Sequence, residues 1–222
     1  MKGEIKKENI LEEIIKLIYP PVCAFCGKID KNYLCENCRK NLQKLEKVHI
    51  YRYKNKFFNE HIYMFKYEKY IREKILNYKF NDKPFYYKTF TKIFITNKKM
   101  CDILKSYDII IPVPIHNKRR KQRGYNQTEL IAKELAKEIL NLEYMNILTK
   151  NENAKPQSLL NKEQRIENAK NVYGVIKNID IENKRILIFD DIYTTGATAN
   201  ECSKELKKLK PKKIGILTIA KD

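Results

Sequence analysis

The sequence predicts an α/β fold: a mostly parallel sheet with helices on both faces, preceded by a small four-cysteine module. From residue 107 onward, short apolar runs alternate with amphipathic stretches at the spacing of strand, helix and strand. Four of the six cysteines fall near the start of the chain. A length of 222 residues allows one domain of ordinary size plus such a module. We therefore expect a module over residues 1–48 and an α/β domain over residues 49–222.

The cysteines of the module form two CxxC pairs, Cys23-Ala-Phe-Cys26 and Cys35-Glu-Asn-Cys38. Each pair can turn two thiolates toward one ion, and four thiolates in tetrahedral geometry suit Zn²⁺. Gly27 follows the second thiolate and relaxes the tight turn. Disulfide bonds are the alternative, which a cytosolic chain disfavours. With all four positions filled by protein, the predicted zinc is structural and performs no catalysis.

Composition excludes two broad classes of protein. With 43% hydrophobic and 33% charged residues, the chain can bury a core and is not wholly disordered. Its apolar runs are all shorter than the ~18 residues that span a membrane. The stretch 10–18 contains Glu12, Glu13 and Lys16, which indicates an amphipathic helix and not a signal peptide. We expect a soluble, cytoplasmic chain without membrane insertion.

The formal net charge is +19, from 46 Lys+Arg against 27 Asp+Glu. Lys, Asn, Ile, Tyr and Phe are all encoded by A/T-rich codons, so codon bias accounts for part of this excess. A basic balance predicts affinity for polyanions and says nothing of the fold. The excess is uneven, because residues 51–100 alone carry +9 (13 basic, 4 acidic residues).

The same segment, 51–100, holds 15 of the 24 aromatic residues. Rings beside lysines are typical of a groove for single-stranded nucleic acid. The alternative is a core filled by these rings, since residues 62–67 alternate like a strand and residues 70–78 and 85–94 have helical spacing. Periodicity favours the core, with an exposed minority drawn from Tyr51, Tyr53, Phe57 and Phe58.

The second half of the chain supplies the predicted elements of the sheet in order: strand 108–113, helix 128–140, strand 146–149, a polar stretch 150–171, strand 185–189, helix 198–209 and strand 214–219. Ligands bind such sheets at the carboxyl ends of the strands. The loops that follow the strands are therefore the places to search for a site.

The most informative loop follows the apolar run 186–189. It contains two acids and then a Thr/Gly turn that opens a helix: Asp190, Asp191, Thr194, Thr195, Gly196, Ala197 and Thr198. Backbone N–H groups at a helix start bind anions, and threonine hydroxyls add donors. Adjacent carboxylates suit sugar hydroxyls or Mg²⁺-linked waters. The pattern predicts a site for a ribose 5-phosphate, and the Gly-Lys-Ser/Thr ending of a Walker loop is absent.

This segment resembles the 5-phosphoribosyl diphosphate (PRPP) motif of type I phosphoribosyltransferases. In addition, Pro112-Val-Pro-Ile-His116-Asn-Lys-Arg119-Arg-Lys-Gln-Arg123-Gly-Tyr125-Asn-Gln127 is similar to the PVPLH…R…RGFNQ stretch of the ComF (ComFC) family. Tyr125 stands where the family often has Phe. The run Gln157…Arg165…Asn168 and the four cysteines match the family in order. The resemblance covers residues 15–221, least distinctly between 39 and 106.

The resemblance implies a set of roles. Asp190 and Asp191 would contact ribose hydroxyls, one of them through Mg²⁺, and residues 194–198 would hold the 5-phosphate. The loop 116–123, with Arg119 and Arg123, would face the diphosphate, although such a basic run is also typical of a solvated surface. The segment 150–168 would close over the reaction centre, carrying Gln157 and Arg165 as catalytic residues.

The resemblance also implies a function in DNA uptake during natural transformation, with single-stranded DNA and a DNA-uptake helicase as partners. The alternative is an active PRPP-dependent phosphoribosyltransferase of nucleotide salvage. Fold does not separate the two functions, because sites and not folds carry function.

Overall fold

The computed structural model describes residues 20–80, 83–150, 172–176 and 178–222. The chain divides into two compact units, Met1–Leu45 and Glu46–Asp222. Residues 1–22 were expected to form a helix that leads into the module and ends at Pro20-Pro21, and most of that range, up to residue 19, lies outside the described residues. The stretch that carries Gln157 and Arg165 lies outside them too. The domain boundary after residue 48 stays a prediction.

The described part of the first unit is a turn followed by a helix. Val22 and Ile29 form an isolated antiparallel bridge. Between them Gly27 has a φ of +79°, a left-handed conformation that favours glycine. Helix α1 (Glu36–Gln43) begins directly after Cys35 and buries Leu42.

The second unit is built on a six-stranded sheet of order β1-β2-β8-β7-β3-β4. Only the β1–β2 pair in this sheet is antiparallel. Strands β5 and β6 form a separate antiparallel pair. The strands are β1 (His49–Arg52), β2 (Glu60–Lys66), β3 (Ile109–Pro112), β4 (Glu143–Tyr144), β5 (Leu148–Lys150), β6 (Tyr173–Val175), β7 (Arg185–Tyr193) and β8 (Lys213–Lys221).

The described helices of this unit flank the sheet on both faces. Successive strand residues point to opposite faces. On β7, Ile188 shares a core cluster with Cys202 and Leu206, whereas the ring of Phe189 meets Phe94 edge-on. The helices are α2 (Lys69–Phe80), α3 (Tyr86–Thr96), α4 (Lys98–Lys105), α5 (Asn117–Arg123), α6 (Gln127–Glu138) and α7 (Ala197–Lys207). The predicted mostly parallel α/β fold is confirmed.

The amino ends of the central strands are fixed by polar contacts and one close approach. Arg185 pairs with Asp108 at 2.5 Å, which ties β7 to the start of β3. The ring of Tyr107 lies against Gly215 on β8, where an added Cβ would come within 2.0 Å of the Tyr107 Oη. Tyr107 donates a hydrogen bond to Glu60 at 2.7 Å. These contacts hold the sheet at the end opposite the candidate site.

Of the 15 aromatic residues in the segment 51–100, seven are buried and four are exposed, so the core that periodicity favours takes more of them than the surface does. The buried rings are Phe58, Tyr63, Phe65, Tyr78, Tyr86, Phe90 and Phe94. The exposed ones are Tyr51, Phe57, Tyr70 and Phe80. Of the four residues from which the exposed minority was expected, Tyr51 and Phe57 are exposed, whereas Phe58 is buried and packs edge-on against Tyr53 and Tyr193.

Three elements differ from the predicted ones. The strand predicted at 146–149 is β5 (Leu148–Lys150), which pairs antiparallel with β6 outside the six-stranded sheet. Strand β7 continues through both aspartates to Tyr193, because it stays paired with β8 as far as Lys221. The predicted loop 116–123 is mostly helix α5, since its Lys, Arg and Gln residues are good helix formers. His116 caps this helix by accepting a hydrogen bond from the Lys118 N–H, and Gly124 ends it at a φ of +77°. Throughout the described residues, every helix is too short or too polar to cross a lipid bilayer.

Candidate functional site

A cleft of about 1160 Å³ opens at the carboxyl ends of β3, β7 and β8. Its walls come from the loop after β3 with helix α5, from the loop after β7, and from helix α2. The structure brings together in this cleft all the predicted PRPP-site residues that it describes: Asp190, Asp191, Thr194, Thr195, Gly196, Ala197, Thr198, Arg119 and Arg123.

The two aspartates lie where β7 emerges from the core. The Asp191 N–H donates to Asp190 Oδ1 at 2.8 Å, so the first carboxylate folds toward the backbone of the second. Burial and the neighbouring Asp191 carboxylate raise the pKa of Asp190 to about 7. Because burial and the Asp191 carboxylate both disfavour the ionised form of Asp190, a metal ion or hydroxyl donors bound beside it would stabilise that form.

A buried polar network holds Asp191. Gln127 Nε2 donates to Asp191 Oδ2 at 2.8 Å, and the Lys79 ammonium contacts Asp191 Oδ1 at 2.8 Å. Arg123 in turn donates to Gln127 Oε1. The network joins α2, α5 and the start of α6 to the acid pair, so it links the acid pair to the predicted diphosphate-binding segment.

The aromatic side of α2 supports this network. The Tyr78 hydroxyl donates to the Gln127 carbonyl at 2.8 Å, and the Tyr125 hydroxyl donates to the Tyr78 carbonyl at 2.5 Å. The rings of Tyr78 and Tyr125 stack at 5.9 Å, and the Arg123 guanidinium lies 5.3 Å from the ring centre of Phe80. The aromatic residue at position 125 thus locks the basic segment onto α2.

The turn after β7 has the backbone of an anion site. Gly196 has a φ of +74° and is the residue immediately before helix α7. The Ala197 N–H points to Thr195 Oγ1 at 3.2 Å. The Tyr193 ring packs so closely on Gly196 that an added Cβ would come within 2.1 Å of its Oη. Only glycine therefore fits, and the helix start faces the cleft with its N–H groups.

Helix α5 brings positive charge to the opposite wall. Lys118, Arg119 and Arg123 line the cleft. Arg120 instead pairs with Glu129 at 3.5 Å, and neither of these two residues lines the cleft. The helix therefore divides its basic residues between the cleft and the neighbouring helix α6.

Lys150 at the end of β5 is a further cation of the cleft. Its ammonium donates to the Tyr173 hydroxyl at 3.2 Å and lies 5.1 Å from that ring. Burial lowers the pKa of Lys150, while the nearby Asp190 opposes that shift. Lys150 is also the first residue of the segment 150–168 that is predicted to close over the reaction centre.

The four cysteine sulfurs of the first unit all lie within 4.8 Å of one another. Zn–S bonds of about 2.3 Å in a tetrahedron place sulfurs about 3.8 Å apart, so these residues fit one zinc ion. Burial opposes ionisation of Cys23, but neighbouring backbone N–H groups outweigh it and lower the pKa of Cys23 to about 7. Burial and the neighbouring thiols raise the pKa of Cys38, so four thiolates this close together require a cation between them. The cluster supports structural zinc.

Sequence reasoning missed three cleft residues, Lys79, Gln127 and Lys150. Gln127 is the last residue of the ComF-like stretch 112–127, but no contact was predicted for it. Lys79 directly follows the residues 70–78 whose helical spacing predicted a core helix, and Lys150 is the first residue of the polar stretch 150–171. The pairing of Lys79 with Asp191 has no local signal, because it joins residues far apart in the chain.

Known proteins resemble the chain in both units. The family described as "Double zinc ribbon domain" matches residues 14–49, and "Phosphoribosyl transferase domain" matches residues 127–222. Competence protein F of Haemophilus influenzae is 28% identical over 90% of this chain and 85% of its own length. Competence protein ComFC of Streptococcus pneumoniae is 27% identical over 90% of this chain and 80% of its own. DNA utilization protein YhgH of Escherichia coli O157:H7 is 28% identical over 45% of this chain and 43% of its own.

Proposed function

The chain belongs to the ComF family, and from that premise we propose that it binds PRPP, or a related phosphoribosyl compound, with Mg²⁺ and handles single-stranded DNA during uptake. One observation carries the first half of the proposal: the acid pair of β7 and the glycine turn before α7 face one cleft with the basic helix α5. We place this activity in the cytoplasm.

The ligand's parts match the walls of the cleft. The 5-phosphate would lie on the N–H groups and hydroxyls of Thr194 to Thr198. The ribose hydroxyls would donate to Asp190 and Asp191. The diphosphate would face Arg119 and Arg123, whose guanidinium groups bind phosphate oxygens through paired donors.

Mg²⁺ fits the donor chemistry of the acid pair. Mg²⁺ takes carboxylate oxygens together with substrate phosphates, and it supplies charge neutralisation for the diphosphate when bound. Asp190 would hold it, because burial and the Asp191 carboxylate leave this carboxyl in need of a compensating positive charge. Lys79 and Gln127 keep the Asp191 carboxylate oriented.

Calorimetric titration of PRPP with Mg²⁺ tests the site. We expect the double variant Asp190→Asn with Asp191→Asn to lose PRPP binding while retaining the fold by circular dichroism. Asp180→Asn, at an exposed aspartate outside the cleft, should bind as the wild type does. Unchanged affinity in the double variant would refute the assignment of the acid pair.

An active phosphoribosyltransferase is the second candidate, favoured by the size of the cleft. Its volume of about 1160 Å³ and its further lining by Tyr67, Arg72 and Leu76 would leave room for an acceptor molecule. In that reaction the acceptor's nucleophilic atom bonds to C1 of the ribose as the C1–O bond breaks and diphosphate leaves. Arg165 and Gln157 are the proposed catalytic residues, and the cationic wall would stabilise the leaving group.

Incubation with PRPP, Mg²⁺ and a panel of acceptors, with diphosphate release as the readout, separates the two candidates. Release that depends on one acceptor supports the transferase. Tight PRPP binding without release, for every acceptor in the panel, supports the binding protein.

The DNA half of the proposal is supported by the names of the relatives and by the basic segment 51–100. Binding of a labelled oligonucleotide that weakens steeply with salt is the expected result. Absent binding at low salt would refute this half alone.

Structural zinc completes the proposal for the first unit. We expect about one zinc per chain by elemental analysis after reducing purification. Cys38→Ser should abolish the metal and unfold the module, whereas Cys101→Ser, in the other unit, should leave the metal content unchanged.

A further inference from the structure

Three rings stack along the antiparallel edge of the sheet. His49 and Tyr51 alternate on β1, and Tyr63 faces them from β2. The Tyr63 ring lies 4.7 Å from His49 with 13° between planes and 5.9 Å from Tyr51 with 5° between planes. Tyr51 is 44% exposed, so the row of near-parallel rings reaches solvent.

Four lysines lie near His49, and one of them, Lys221, also contacts the rings of Tyr51 and Tyr63. The Lys221 ammonium lies 4.4 Å from the ring centre of Tyr51 and 5.8 Å from that of Tyr63. Burial lowers the pKa of His49, and four ammonium groups lower it further: those of Lys47, Lys66, Lys99 and Lys221. We call His49, Tyr51, Tyr63 and these four lysines the ring–lysine surface.

The lysines of this surface have few acidic partners. Among the described residues, only Lys66 of the four is ion-paired, with Glu68 at 3.9 Å. Lys99 donates to the Val48 carbonyl instead. Gathering like charges without counter-charges is unfavourable for folding, so the arrangement indicates an anionic ligand.

We propose that the ring–lysine surface binds single-stranded nucleic acid, which rests on the nucleic-acid half of the proposed function and gives it a location. Each nucleotide supplies one flat ring and one phosphate, the two groups that stacked rings and ammonium groups bind. In a duplex the bases are already stacked on one another, so their faces are not available. An acidic peptide supplies the charge without the rings.

The ring–lysine surface is separate from the cleft. None of its seven residues is among those that line the cleft within the described chain. It also differs chemically, because the cleft includes the carboxylates of Asp190 and Asp191, whereas none of the seven residues of this surface is acidic. A variant of one should therefore leave the other's ligand bound.

Fluorescence anisotropy with a labelled single strand tests the location. The Tyr51→Ala variant should weaken binding about tenfold, since stacking on one ring contributes that order of affinity. Tyr51→Phe keeps the ring and should bind as the wild type does. Tyr70→Ala, an exposed tyrosine on α2, is the matched control and should also bind normally.

Competitors distinguish the ligand classes. A DNA and an RNA strand of one sequence should compete within a few-fold of each other, since rings and ammonium groups read base and phosphate. A duplex of equal length should compete at least tenfold less well. Polyglutamate of matched charge should compete poorly, and competition equal to that of the oligonucleotide would overturn the proposal.

Two failures are distinguishable. If the wild-type chain binds no oligonucleotide, both this proposal and the DNA half of the proposed function are wrong. If the wild type binds and Tyr51→Ala binds equally well, the location alone is wrong. Calorimetry with PRPP on Tyr51→Ala should give the wild-type affinity, which shows that the variant is folded.

Discussion

The cleft and the ring–lysine surface organise positive charge in opposite ways. In the cleft, cations lie beside the acid pair, as Lys79 contacts Asp191 and Arg123 donates to the Gln127 that binds Asp191. On the ring–lysine surface, ammonium groups crowd around His49 and Tyr51 with one weak ion pair among the described residues. The difference indicates that the cleft is organised for one small ligand, whereas the surface suits a long polyanion whose phosphates replace missing counter-charges.

The largest expected effect is on the glycine turn of the cleft. Gly196→Ala places a Cβ within 2.1 Å of the Tyr193 Oη at a φ of +74°, so the turn must rearrange. We expect PRPP affinity to fall by more than about 100-fold, because the phosphate loses several charge-assisted hydrogen bonds. Oligonucleotide affinity should be unchanged, as measured by anisotropy.

Gly124→Ala is the control for that variant. Gly124 has a φ of +77° but no atom within 4 Å of an added Cβ, so the change strains the backbone without a clash. It should cost PRPP affinity much less than Gly196→Ala. Equal losses would show that left-handed strain, and not the contact with Tyr193, explains the result.

The next largest effect is the salt dependence of oligonucleotide binding, which should depend on the lysines of the ring–lysine surface. Four phosphate contacts to a single strand give a log–log slope of about −2.8, or roughly 50-fold weaker binding between 50 and 200 mM salt. Lys66→Gln with Lys99→Gln should reduce the slope by about 1.4. Lys137→Gln with Lys208→Gln removes the same charge elsewhere and should leave the slope unchanged. If both double variants reduce the slope equally, binding depends on total charge alone, and a localised surface is contradicted.

The pH dependence should appear in the cleft. The pKa of Asp190 is raised to about 7, so this carboxyl is mostly neutral at pH 6 and mostly ionised at pH 8. Affinity for PRPP with Mg²⁺ should therefore rise about tenfold over that range, after correction for the ligand's own ionisation. Calorimetry at pH 6, 7 and 8 measures it, and a flat profile would show that the ionised form is not required.

The raised pKa of Asp190 also predicts a pH dependence of folding stability, in the direction opposite to that of PRPP affinity. The unfolded carboxyl ionises near its ordinary pKa of 3.8, whereas the folded one holds its proton to about 7. The contribution of Asp190 to stability should therefore fall as pH rises from about 4 to about 7 and stay constant above. The difference in unfolding free energy between wild type and Asp190→Asn, measured across this range, isolates it.

The smallest effect concerns Lys79. Its ammonium lowers the pKa of Asp190, against burial and Asp191, which raise it. In Lys79→Met the midpoint of the pH profile should move upward, which weakens PRPP binding about two- to threefold at pH 7. Lys69→Met, exposed on the same helix, should keep the wild-type midpoint. A midpoint that moves downward would contradict the electrostatic account.

The parts that the sequence predicts are those whose physical cause is local. An apolar run followed by two acids and a glycine turn predicts the end of β7, and the CxxC spacing predicts the metal cluster. Lys79 and Gln127 were not predicted as partners of Asp191, because tertiary packing alone joins them. The ring–lysine surface was missed as a unit, since β1 is a four-residue edge strand whose stacking depends on the facing strand.

Together the two proposals place two anion sites in the second unit, one for a small ligand and one for a long one. Competition between the ligands tests this directly: anisotropy of a labelled single strand bound to the wild-type chain is followed during titration with PRPP and Mg²⁺. With two separate sites, saturating PRPP leaves the strand bound, and unlabelled strand displaces it. Displacement of the strand by PRPP at the concentration that fills the cleft would show that the two ligands share one site.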